Sequence, residues 1–141
     1  MFVNGGYYIT GAGNADKSET DIRRFVVRNR TRETVVAENV LLADTPRTRR
    51  IGLLKHAGLQ PGEGLWIYPC QAIHTFWMRF SIDVAFLDRH RRVKRVYHRM
   101  PPFRLTRIVW GARSVLELAS GVLAGSRTAT GDELQFSPCE E

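Results

Sequence analysis

Long apolar runs, paired cysteines and locally balanced charge are what this chain of 141 residues has least of. No apolar run approaches the ~18 residues that a membrane-spanning helix needs. The two cysteines, Cys70 and Cys139, belong to no C-x-x-C, which excludes Cys-rich zinc modules, and a disulfide between them is not expected in a reducing compartment. The first twenty residues hold no apolar h-region of the kind a secretory signal peptide carries, so a cytoplasmic location is expected. With Gly5, Gly6, Gly11 and Gly13 among Asn and Ser, residues 1–20 read as a flexible arm ahead of one β-rich domain over 21–141. There is no internal repeat. Acid is absent from residues 89 to 107, where Arg89, Arg91, Arg92, Lys94, Arg95, Arg99, Arg104 and Arg107 lie together. That stretch carries +8 against a net charge of +7, and the remainder sums to −1.

What is present is ordinary for a soluble globular chain: 43% hydrophobic and 25% charged residues, in a length able to bury a core without staples. Phe25–Asn29 and Val35–Ala43 are rich in β-branched residues and flank polar Arg30–Glu33, which predicts a hairpin with a four-residue loop. Thr45 and Pro46 fit the N-cap and first position of a helix over Pro46–Ala57, with Gly58 as its stop. Gly52 inside that span points to close backbone approach or to a short, irregular helix. Leu65–Tyr68 reads as a short strand. Ala72–Met78, if extended, would place His74, Phe76 and Met78 on one side and Ile73, Thr75 and Trp77 on the other, a segment covered on both faces.

Ile82–Leu87 is a strand with Asp83 on the face opposite Ile82, Val84 and Phe86. Asp88–Arg91 turns it into a return strand over Arg92–His98. Pro101 and Pro102 make Met100–Phe103 a loop, crossing to Ile108–Trp110. Ser114–Ala119 is a further strand with Leu116 and Leu118 inward and Glu117 opposite, Ser120–Gly125 a helical turn, and Gly131–Asp132 a turn into Glu133–Phe136. The expected fold is mainly β (α+β): a compact barrel-like domain of seven or eight short strands with one or two short helices.

The densest chemistry lies between Cys70 and Asp83. His74-Thr-Phe-Trp-Met78 followed by Ile82-Asp-Val84 resembles the domain of unknown function (DUF) 192 family of bacterial and archaeal proteins. The resemblance extends from about Arg49 to Leu134, through Arg49-x-x-Gly52-Leu53, Gly64-Leu65, Val115-Leu-Glu-Leu118 with Gly121, and Gly131-Asp132. It implies a compact β-rich fold with short helices, and no assigned activity.

Three readings of the residues follow. In the first, a non-enzymatic module binds a small polar or sugar-like molecule, or a peptide end, between His74, Asp83 and Glu117, with Trp77 and Met78 as roof and Cys70 nearby. Carboxylates flanked by apolar strand residues must find a donor, and a concave apolar site with a few polar groups is the usual small-molecule site. In the second, His74 works with Asp83 or Glu117 as acid and base in a hydrolytic enzyme; Cys70 as nucleophile lacks a helix N-terminus to lower its pKa. In the third, the basic patch at Arg89, Arg91, Arg92, Lys94 and Arg95 meets nucleic acid or another anionic partner, against the alternative of a solvated hairpin that blunts a sheet edge. No metal set is expected, because no second Cys/His pair accompanies Cys70 and His74, and no cofactor is implied. Oligomeric state is open.

Overall fold

β-Branched and aromatic residues alternating on either side of Arg30–Glu33 form the first hairpin, β1 (Arg24–Asn29) against β2 (Thr34–Ala43). These and all further elements come from a computed structural model describing residues 23–54 and 56–139. The arm expected over residues 1–20 lies outside the described residues. The chain continues through α1 (Pro46–Ile51), β3 (Glu63–Ile67), β4 (Ile82–Leu87), β5 (Val93–Met100), β6 (Ser114–Ala119), α2 (Val122–Gly125) and β7 (Leu134–Pro138).

All seven strands belong to one sheet in the order β5-β4-β6-β3-β2-β1-β7. Only β2 and β3 run parallel, since the α1 segment between them returns the chain to its starting end. The sheet curls until its two edges meet. Arg92, just before β5, bridges Glu133, just before β7, and the Val93 N–H donates to the Asp132 carbonyl at 2.8 Å. The described residues thus form a half-barrel of seven strands with two short helices.

Curling gives the sheet an inside and an outside, and both are covered. Inside lie Phe25, Val27, Val40, Trp66, Leu87, Leu116, Leu118 and Phe136, together with Leu123 of α2. Outside, Leu65, Ile67, Ile82, Val84, Phe86 and Val115 pack beneath Leu53, Cys70, Ile73, Met78, Val109 and Ala112 from the long connections. Every residue of β4 and β6 is therefore buried, as expected for strands sandwiched on both faces.

Two expectations give way here. The helix begins as predicted: Thr45 caps it in a reciprocal capping box with Thr48, and Pro46 follows. It ends at Ile51 rather than Ala57, because Gly52 takes φ 50° and breaks the repeat, so Gly58 has no helix to stop. Ala72–Met78 is not a strand. Trp77 adopts φ 70°, and this turns the chain so that Phe76 and Trp77 face solvent while Ile73, Thr75 and Met78 are buried.

Candidate functional site

Asp83 and Glu117 occupy adjacent strands one register step apart, Asp83 opposite Leu118 and Val84 opposite Glu117. One step in a strand reverses the face. The two carboxyls therefore point to opposite sides of the sheet. Asp83 is fully buried on the inner side, where it accepts from the N–H groups of Arg99 (2.8 Å), Gly121 (3.1 Å) and Leu123 (2.9 Å). It fastens the end of β5 and the β6–α2 turn to β4. Gly121 takes φ 93°, a conformation natural to glycine, and so presents its N–H to the carboxylate.

Glu117 is buried on the outer side, and its Oε2 has no hydrogen-bond partner among the described residues. Burial without a partner raises its pKa to about 8, so the carboxyl keeps its proton at neutral pH. Cys70 is close enough to feel Glu117, but burial foremost raises the thiol to about 12. Its Sγ donates to the Ala72 carbonyl at 3.2 Å. A neutral, buried thiol is a poor nucleophile.

His74 is half-buried on the outer surface, its pKa lowered by burial, and its Nδ1 accepts from the Phe76 N–H at 3.3 Å. No hydrogen bond or ion pair between described residues joins it to Asp83 or Glu117. Trp77 is 70% exposed and Met78 is buried in the outer core, so neither roofs a cavity shared by the acids. The expected common hollow of Cys70, His74, Trp77, Met78, Asp83 and Glu117 is not formed. The sheet itself stands between Asp83 and the rest. Among the described residues, no three His, Cys, Asp or Glu side chains converge on a metal position.

A cleft of about 560 Å³ opens instead at the mouth of the half-barrel, between the start of β1, the ends of β2 and β3, the β4–β5 turn and β7. Trp66 stacks on Phe136 (ring centroids 4.0 Å apart) and meets Phe25 edge-on at 5.2 Å. The Arg91 guanidinium lies over both rings of the stack, 5.0 Å from Trp66 and 5.3 Å from Phe136. Arg23, Arg89 and Arg113 line the same cleft with Asp44 and Asp88. Asp44 pairs with Arg23 at 3.7 Å, and Asp88 Oδ1 accepts from the His90 and Arg92 N–H groups of its own turn. Trp66 lines the cleft, and its indole N–H is buried and finds no acceptor among the described residues.

Trp66, Phe136 and Arg113 were not legible as site residues. They come from β3, β7 and the residue just before β6, and only the closing of the sheet brings them to one rim. The basic patch divides in the same way. Arg89 and Arg91 turn to the cleft, Arg95 lies 6.0 Å from the Tyr97 ring, Lys94 approaches Gly111, and Arg92 lies at the joined sheet edge.

Fold and site together define a curled β half-barrel with an arginine- and aromatic-lined mouth. The chain belongs to the DUF192 family (Uncharacterized ACR), whose family model matches residues 26–136. It is 33% identical over 121 residues to a UPF0127 protein of Thermococcus sibiricus, covering 80% of this chain and 75% of that protein. Two crystal structures share the fold. One is a protein of unknown function from Novosphingobium aromaticivorans, with TM-score 0.70 and 21% identity, covering 92% of this chain and 99% of that one. The other is a candidate transcription regulator from Sinorhizobium meliloti, with TM-score 0.68 and 18% identity, covering 82% and 93%.

Proposed function

We propose that this half-barrel is a non-enzymatic binding module that takes a small carboxylate-bearing molecule, a sugar acid or a peptide end, in the cleft at its mouth. The observation that carries the reading is the Arg91 guanidinium held over the Trp66–Phe136 stack, with Arg89 and Arg113 on the same walls. A guanidinium offers paired donors that match a carboxylate. An apolar floor beneath it lowers the local dielectric and strengthens that pairing.

The test is a binding titration, followed by protein NMR, against uronic acids, simple carboxylates and short peptides with free C-termini, with neutral sugars and amidated peptides as controls. Acidic members should bind and shift the Trp66 indole signal. Arg91→Ala and Arg113→Ala should each weaken binding about tenfold or more without changing the melting temperature by more than a few degrees. Equal binding of neutral controls, or indifference to both substitutions, would refute the proposal.

A further inference from the structure

A second surface lies away from the cleft, over the outer face of the sheet. Residues 71–77 and 103–110 run side by side as an irregular ribbon. The Val109 N–H donates to the Gln71 carbonyl, the Thr106 N–H to Ile73 and the Thr75 N–H to Arg104, at 2.9, 3.0 and 2.9 Å. The underside of the ribbon, Ile73, Thr75, Thr106 and Val109, is buried. Its upper side carries large apolar groups into solvent: Trp110 (78% exposed), Trp77 (70%), Leu105, Phe103 and Ile108.

Such residues usually find cover, and here five of them lie in water. Trp77 and Phe103 adopt φ 70° and 62°, a conformation that bulky side chains rarely hold without compensation. The two rings meet edge to face across the ribbon at 5.8 Å. Exposed Arg79, Arg104 and Arg107 stand among them. The stretches that form the ribbon carry no acid: the sequence has none between Glu63 and Asp83 and none between Asp88 and Glu117.

We propose that this ribbon is a peripheral membrane-docking surface that seats on an anionic lipid bilayer. Large exposed apolar side chains interspersed with exposed arginines match the layered chemistry of a bilayer surface. Anionic headgroups pair with arginine, tryptophan rests at the interface, and aliphatic groups reach the acyl boundary. Neither half suffices by itself, since stable anchoring takes both an apolar and an electrostatic contribution. Single-stranded nucleic acid fits less well. Bases need exposed, parallel ring faces, whereas Trp77 and Phe103 stand at 77° to one another and Leu105 and Ile108 offer no π face. The ribbon meets the bilayer in the plane of the surface and spans nothing.

The experiment is flotation of the full chain with phosphatidylcholine vesicles, with and without phosphatidylglycerol, alongside tryptophan quenching by lipids brominated on the acyl chains. Trp66 is buried, so quenching reports chiefly on Trp77 and Trp110. The protein should float only with anionic vesicles, be quenched by them, and release as salt rises. Trp77→Asn with Trp110→Ser should reduce partitioning about tenfold or more; asparagine tolerates the backbone that Trp77 adopts. Arg104→Gln with Arg107→Gln should reduce it about thirtyfold, at roughly fivefold for each charge near the surface. All four positions are exposed, and thermal melts matching the wild type establish that each variant is folded. Failure to float with anionic vesicles overturns the proposal, as does partitioning that survives both double substitutions. A single-stranded oligonucleotide bound through these same residues, without vesicle binding, overturns it in favour of a nucleic-acid surface.

Discussion

Asp83 does with three hydrogen bonds what a longer connection would otherwise need packing to do. Its carboxylate gathers amides from residues 99, 121 and 123, joining three segments at one buried point. Asp83→Ala would strand those donors, and the expected loss is on the order of 3–5 kcal/mol. Asp83→Asn keeps one acceptor oxygen and should cost about half as much. Denaturant melts of the two variants check the ordering; a neutral Asp83→Ala would mean that the amides find water. Glu117 shows the opposite economy, a buried acid with an unpartnered oxygen. An unfolded glutamate titrates near 4.5 and the folded one at about 8. Between those values the unfolded chain gives up its proton while the native state keeps it. Stability is therefore greatest below 4.5, falls as pH rises by up to ~1.4 kcal/mol per pH unit, and levels off above about 8. Glu117→Gln cannot ionise, so its stability relative to wild type should improve steadily across that window. Melts at a series of pH values would show parallel curves if Glu117 were ionised throughout.

At the scale of elements, β3 is the strand on which the sheet turns from parallel to antiparallel pairing, between β2 and β6. Gly64 makes that approach possible. A Cβ there would lie 2.9 Å from the Glu117 carbonyl oxygen and 3.0 Å from Leu118 Cδ2. Gly64→Ala must push backbone as well as side chain, and a loss of about 1–3 kcal/mol is expected; a melt unchanged from wild type would show that the sheet yields freely. The start of α1 was readable because capping is local: Thr45 and Pro46 determine it within four residues. Its end was not, since Gly52 could equally have been tolerated within a longer helix. Ala72–Met78 misleads for a related reason. A period-2 pattern presumes regular backbone, and Trp77 leaves it.

For the whole molecule, the decisive event is the meeting of the two sheet edges. Asp132 secures it. Its Oδ2 accepts from Asn29 Nδ2 at 2.9 Å, the Ala129 N–H at 3.0 Å and Arg32 Nε at 3.2 Å, beside the point where β5 reaches β7. Burial alone would raise the Asp132 pKa, but the hydrogen bonds from Asn29, Ala129 and Arg32, with the Arg32 charge, hold it below its ordinary value. The stabilisation is then present above the unfolded value of 3.8 and is lost as pH falls through the lower folded value. Asp132→Asn should cost about 1–3 kcal/mol at neutral pH, and the difference from wild type should shrink in acid. Amide exchange at Val93 and Leu134, which bond across the closure, should quicken more than exchange at Phe86 in the sheet centre. Uniform quickening would mean that the edges do not open separately.

The strands, the mainly β class, the capped start of α1 and the family all follow from sequence, because alternation, turn residues and capping act over a few neighbours. The burial of Asp83 and Glu117 was legible too, from apolar residues on either side of each. Their separation was not: it depends on a one-residue step in the pairing of β4 with β6, which no local pattern reports. The cleft of Trp66, Phe136 and Arg91 and the projecting ribbon of Trp77 and Trp110 arise later still. Closing a sheet chooses which distant side chains share a rim, and loop backbone chooses which aromatic groups are left in water.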